Sequence, residues 1–370
     1  MDDEVQLLRV PTHEWVQRFE NEYLSDYLKS GGSAVKVLSG SASSHTRAIE
    51  AICSASSRNG YFFVKLDPND LDDNDRKPDL HRIDRFFFET TGGVDWKAWA
   101  ATEAKSFLQS HGILITDGRE LNDIEGIATD NGRVSTDLIN QYQREFATPL
   151  IRDHRLSIEF RAALKALSSA QLDPESMSAT TEEVLICWFA GKSLPGAAAA
   201  LKRIQIFARI DRSNARYILS SFCRWLSRTG RAGLVVVLDF RPYENVRMTV
   251  AQRRKVTEAK LKDAIASRVS HAELDRIVAE GDELPPTSYS QTAYLQMLQL
   301  LRRFIDDIDL FEGFCLIVLT SQKFCQTERS AAKDRHYTDY DALQTRIGLE
   351  VHDVRRANPV ASLVHLEDAV

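Results

Sequence analysis

The stretch "GSASSHTR", Gly40 to Arg47, follows the apolar run "AVKVL" and leads into "TRAIEAICSASSRNG", a helical pattern closed by Asn59-Gly60. A small-residue turn between a strand and a helix is where backbone N–H groups wrap phosphates. A lysine there would supply charge for the β- and γ-phosphates, and a Ser or Thr hydroxyl would hold Mg²⁺. At full loop length Gly40 is the first glycine, His45 stands at the second glycine, Thr46 at the lysine and Arg47 at the hydroxyl residue. A shorter alignment puts Ala42 at a glycine, Ser43 at the lysine and Ser44 at the Mg²⁺ hydroxyl, with Ser41 between. Neither supplies a lysine. The competing reading is a Ser-rich turn capping a helix that starts near Thr46, since Ser and Thr hydroxyls are favoured N-caps. Either way, a helix N-terminus attracts an anion through its dipole and free N–H groups.

A second candidate lies at "GLVVVLDF", an apolar strand that delivers Asp239 to its C-terminal end, where an ATPase would hold Mg²⁺. The next position, which needs a glutamate to orient an attacking water, is Phe240. Glu244 is either a substitute reaching back or a solvated loop acid. "FCLIVLTS" ends in Thr320 and Ser321, placed to sense a terminal phosphate one strand away from the aspartate. No Ser/His/Asp order, H-E-x-x-H or paired Cys/His spacing supports a hydrolase or metal site.

These residues need a scaffold that brings several strand ends to one edge. Strand, loop, helix and the strand "YFFVKLD" within about 35 residues make a βαβ unit, hence a parallel sheet covered by helices. The expected fold is α/β, a P-loop NTPase of AAA-like type with a mainly parallel sheet and helical insertions, and ligands at the C-terminal strand ends. Its parts are an N-terminal helical segment over 1–30 and a nucleotide-type domain over 31–370. That domain includes a mainly helical region at 80–228 and a polar helical insertion at 250–285 that serves as a lid, an arm or a partner surface. "GILITD" at 112–117 is a further candidate strand, and the acidic run at 69–79 reads as a solvated loop. The strands ending at Asp239 and Thr320 are expected side by side, with Gly40 opening onto the same edge.

The chain has 370 residues, enough for one large α/β domain with insertions or for two ordinary domains, and Lys+Arg 47 against Asp+Glu 53 leaves a net charge of −6. No global basic field drives nonspecific nucleic-acid binding, so any such contact is a local patch, for example "RRK" at 253–255 or "RR" at 302–303. Five widely spaced cysteines, with no C-x-x-C pair, suit reduced thiols. The acidic start "MDDEVQLLRV" is unlike a secretory signal and no apolar run is long enough for a membrane span, so a cytoplasmic protein is expected.

With these elements in order, the chain resembles the ATP-binding proteins of bacterial BREX-type phage defence, the BrxD-like P-loop family. The likeness rests on "EYLSDYLKSGGSAVKVLSG", "GYFFVKLD", "ARIDRSNARYILSSFCRWLSRTGRAGLVVVLDF", "AYLQMLQLLRRFIDDIDLFEGFCLIVLTS" and "YTDYDALQTRI". The family pattern has G-x-G-K-[ST]-H in the loop and Asp-Glu at the second motif, and this sequence departs at the lysine and at the glutamate. The resemblance implies an AAA-like fold, ATP with Mg²⁺, and work beside helicase, methyltransferase or phosphatase-like partners. It also matches Arg346 to an arginine facing a nucleotide or a neighbouring subunit, against a surface salt bridge as the plainer role. The departures point to a pseudo-ATPase, a structural or nucleotide-sensing subunit of a prokaryotic antiviral complex, with ATP and Mg²⁺ weakly held or absent. Such a subunit forms a homo- or hetero-oligomer and meets DNA through its partners. The alternatives are an active ATPase that substitutes Arg47 and Glu244 for the missing residues, and a DNA-associated adaptor.

Overall fold

The computed structural model describes residues 8–70, 78–116, 118–246, 250–267, 270, 289–321, 324, 343 and 363–368. These residues form one six-stranded sheet in the order β1-β6-β2-β5-β4-β3, every pair parallel. The strands are β1 (Leu8–Pro11), β2 (Ser33–Gly40), β3 (Tyr61–Leu66), β4 (Gly233–Asp239), β5 (Phe314–Thr320) and β6 (Leu363–Glu367).

The central strands β2, β5 and β4 are apolar runs because helices cover both faces of the sheet. Their side chains alternate between two cores. Val35, Val37, Leu234, Val236, Leu238, Leu316 and Val318 join one, and Ala34, Leu38, Val235, Val237, Cys315, Ile317 and Leu319 join the other. Helix α1 (Thr12–Arg18), continued in π-helical turns over Phe19–Tyr27, and helix α2 (Ala42–Arg58) cover the second core with Trp15, Phe19, Leu24, Ala48, Ile52 and Ala55. The buried lysine of β2, Lys36, lies on that face and donates to Tyr23 Oη at 2.7 Å. The opposite face is covered by helices α3 (Ile83–Thr91) and α4 (Trp96–Ser110), together with those over Ile158–Leu172, Ala179–Phe189, Ala215–Arg228 and Gln291–Asp306.

Most of the helical mass lies in the single connection from β3 to β4, which spans the mainly helical region at 80–228. Part of it has its own small core around Ala104, Leu108, Ile127, Leu138 and Tyr142. The candidate strand at 112–117 does not form among its described residues, 112–116. The Leu114 N–H and C=O are instead satisfied at 2.8 Å each by the Asn131 side-chain amide, which takes the place of a neighbouring strand. The N-terminal segment contributes β1, paired with β6, before its helix begins. In the 250–285 insertion Val250–Ala266 is helical, with Ile265 63% exposed, and residues 271–285 lie outside the described residues. No helix among the described residues is long and apolar enough to cross a membrane.

Candidate functional site

Because the sheet is wholly parallel, the C-terminal ends of β2, β5 and β4 share one edge. β5, ending at Thr320, lies between β2, ending at Gly40, and β4, ending at Asp239. Ser39 is paired with Thr320 and Asp239 with Leu319, so the three candidate motifs converge as the sequence requires.

The turn after β2 is shorter than expected. Ser41 is the N-cap, its hydroxyl accepting from Ser44 N–H at 3.0 Å, and α2 begins at Ala42, not near Thr46. The reason is that Ser41 is itself a good cap and meets the first free N–H of the helix within three residues. The full-length loop alignment therefore fails geometrically. His45, Thr46 and Arg47 are already helical, with Thr46 Oγ1 donating to the Ala42 carbonyl of its own helix.

The anion position at that helix start is taken by the chain's own Asp368, just beyond β6. Its carboxylate accepts from Ser43 Oγ at 2.6 Å, from Ser41 Oγ and Ser44 Oγ at 3.1 Å each, and from Arg47 Nη1 at 3.4 Å. These contacts, that of Ser43 first, hold the Asp368 carboxyl below its ordinary value. A negative group at a helix N-terminus is the favoured arrangement.

The cation position at Asp239 is taken in the same way. Asp239 is buried, and Arg241 meets it through Nε at 2.8 Å and Nη2 at 2.6 Å while the Arg241 N–H donates at 3.1 Å. A fork of this kind satisfies both carboxylate oxygens. Phe240, where a glutamate would stand, is buried in a ring cluster with Tyr243, Tyr294 and Phe324.

The remaining polar groups are also committed. Glu244 Oε1 accepts from Ser321 N–H at 2.9 Å, and burial raises its carboxyl above the ordinary value. Glu244 is thus a partly buried partner of the β5 end and not a solvated loop acid. Thr320 Oγ1 turns back to the Leu38 carbonyl at 3.4 Å and is buried.

His45 lies beneath the turn, fully buried, and neither ring nitrogen has a hydrogen-bond partner of normal geometry among the described residues. Burial, with the Arg241 charge second, pushes its pKa down to about 4, against weaker opposing effects of Asp239 and the Leu38 carbonyl. The packing explains Gly40: a Cβ there would stand 3.2 Å from the Leu366 carbonyl and 3.3 Å from His45 Nε2. Arg346 lies outside the described residues.

The residues sequence reasoning missed are Asp368 and Arg241, with His365, whose Nδ1 lies 2.9 Å from Ser39 Oγ. Arg241 carried a local signal, a cation two positions after a strand-end acid. Asp368 had only the alternating strand pattern "LVHLE" before it.

The residues present do not fit Mg²⁺-ATP. The turn offers one residue between strand and helix, no hydrogen bond or ion pair joins it to a lysine among the described residues, and both charged positions hold side chains of the chain itself. Among the described residues no cluster of three or more His, Cys, Asp or Glu side chains suits a metal ion. The chain matches no protein-family model, no curated protein and no solved structure.

Proposed function

We propose that the chain is a non-hydrolysing subunit with AAA-like P-loop architecture, in which the nucleotide position is closed by Asp368 and Arg241, and that it serves assembly in a prokaryotic antiviral complex of BREX type. The observation that carries the first part is the double occupation of the site. One internal carboxylate sits where phosphate would bind, and one internal guanidinium sits where Mg²⁺ would bind. The strand order supports the architecture, since the strands ending at Asp239 and Thr320 are neighbours and the strand ending at Gly40 opens onto the same edge. The defence context rests on the order of the motifs shared with the BrxD-like proteins, and the partners it implies are helicase, methyltransferase or phosphatase-like proteins.

Phosphoryl transfer relies on charge stabilisation and on positioning the nucleophile. The chain has neither the lysine nor the glutamate, and the proposed substitutes already have partners within the chain, Arg47 with Asp368 and Glu244 with Ser321. The test is steady-state ATP turnover with Mg²⁺ in the parent and in Asp239→Asn, beside affinity purification from the native host. Background turnover in both, with a stable complex containing a helicase or methyltransferase, is the expected result. Turnover in the parent that vanishes in Asp239→Asn overturns the reading.

A further inference from the structure

The Gln291–Asp306 helix places Gln296, Gln299, Leu300 and Arg303 at i, i+3, i+4 and i+7, one stripe of its surface. That stripe faces the start of α3 and the start of the Ala215–Arg228 helix, and two adjoining cavities of about 240 and 150 Å³ lie between the three. Together they fall in the lower part of the roughly 300–1,000 Å³ range of small-ligand sites.

Four arginines line this cleft, Arg82, Arg212, Arg216 and Arg303, and among the described residues no aspartate or glutamate does. Two of them are fixed by carboxylates behind the wall: Arg82 forks onto Asp84 at 2.7 and 3.3 Å, and Arg216 bonds Asp307. The other two, Arg212 and Arg303, are exposed and have no side-chain hydrogen bond or ion pair among the described residues. A lone exposed arginine is an ordinary solvated charge. Here four converge on one concave surface, two of them compensated by Asp84 and Asp307 and two left without a side-chain partner among the described residues.

The rest of the lining is equally specific. Ile83, Leu300 and Phe304 form an apolar floor, while Gln296 and Gln299 offer amide donors and acceptors. Next to the lining residue Arg216, Tyr217 is 50% exposed, its ring 5.0 Å from the Arg216 guanidinium. Guanidinium forks match phosphate oxygens, amides read a base edge, and exposed aromatic rings stack on bases. A carboxylate ligand would use the arginines but leave the floor and the ring without a role.

We propose that this cleft binds a phosphate-bearing nucleotide unit, either free or within a single-stranded nucleic acid, with Arg212 and Arg303 as its phosphate contacts. None of its residues belongs to the closed site beside Gly40, so it stands whether or not the chain is a pseudo-ATPase. Of the two adjacent arginines at 302–303, only Arg303 serves it, because Arg302 turns to Asp306 at 3.4 Å.

The test is fluorescence anisotropy of a labelled short single-stranded oligothymidylate and, separately, of a fluorescent ATP analogue, at about 50 mM salt and above. The full chain is compared with Arg212→Glu/Arg303→Glu and with the charge-matched control Arg133→Glu/Arg144→Glu, whose arginines are exposed elsewhere. Arg212→Gln/Arg303→Gln and melting curves guard against misfolding. The expected result is binding of at least one probe that weakens by on the order of tenfold or more in both Arg212/Arg303 variants and stays within twofold or so in the control. For the oligonucleotide, losing two phosphate contacts should also flatten the salt dependence by about 1.4 in log–log slope. Binding of the oligonucleotide alone assigns a nucleic-acid strand, and binding of the ATP analogue alone assigns a free nucleotide. No binding of either probe by the parent, or binding that the Arg212/Arg303 variants leave intact, overturns the proposal.

Discussion

Asp368 accepts a 2.6 Å hydrogen bond from Ser43, so the end of the last strand supplies the anion at the start of the helix that follows Gly40. Asp368→Ala should vacate that position and expose the Ser41, Ser43 and Ser44 hydroxyls with the helix N-terminus behind them. Inorganic pyrophosphate is then expected to bind on the order of tenfold more tightly than to the parent, measured by calorimetry. The carboxyl lies below its ordinary value, so its contribution to folding is complete above the ordinary aspartate range and lost as pH falls through the folded-state value. Unchanged pyrophosphate affinity in Asp368→Ala would show that the carboxylate does not guard the site.

Arg241→Ala leaves Asp239 as a buried carboxylate without its fork. Breaking a buried pair from one side is costly, and the expected loss is about 3 kcal/mol in denaturant unfolding. The double variant Asp239→Asn/Arg241→Ala removes the charge as well and should recover much of that loss. Mg²⁺ should raise the melting temperature of Arg241→Ala and leave that of the parent unchanged, since only the variant offers a free strand-end carboxylate. A double variant no more stable than Arg241→Ala alone would count against the pairing.

The parts of this arrangement that were legible in the sequence are those carried by local pattern. "AVKVL", "GLVVVLDF" and "FCLIVLTS" read as buried parallel strands because both of their faces are covered, and "YFFVKLD", partly buried at the sheet edge, carries a similar apolar run. β1 and β6 are short, and their residues alternate between buried and partly exposed, so "LRVP" and "LVHLE" carry no such run. The start of α2 was ambiguous because Ser41, Ser43, Ser44 and Thr46 are all eligible caps, and only the backbone path after Gly40 chooses between them. Asp368 was invisible for another reason. Its partners lie more than 320 positions away, and a contact that distant follows from the sheet order, which places β6 beside β2.

Gly233→Ala tests the opposite edge of the sheet. Gly233 opens β4 at φ 150°, and a Cβ there would stand 2.0 Å from the Gly313 carbonyl oxygen, a backbone atom that cannot swing aside. Leu234 N–H donates to that same carbonyl at 2.8 Å, so relief of the clash would cost a hydrogen bond between β4 and the start of β5. A loss of more than about 2 kcal/mol is expected in chemical denaturation. Wild-type stability in the variant would mean that the two strand starts are not held this closely.

His45 gives the fold a pH dependence whose sign is fixed by its burial. In the unfolded chain the imidazole titrates near 6.5, and in the folded chain its pKa is pushed down to about 4, chiefly by desolvation and then by the Arg241 charge. Above the unfolded value both states hold it neutral and it contributes no slope. Between the two values the unfolded state binds the extra proton, so stability falls as pH falls, by up to about 1.4 kcal/mol per pH unit. The full difference amounts to roughly 3 kcal/mol at the acid end of that window. His45→Asn keeps a polar side chain and removes the titration, so its stability should decline less steeply between about pH 6.5 and 4.5 than the parent's. A smaller slope persists in both proteins, because burial also lowers the pKa values of His81 and His365. The measurement is denaturant unfolding across that range, with the difference between the two proteins read at each pH. Parallel curves would mean that His45 is protonated or solvated in the folded chain, and the closed packing of Gly40, His45 and Leu366 beneath the turn would be wrong.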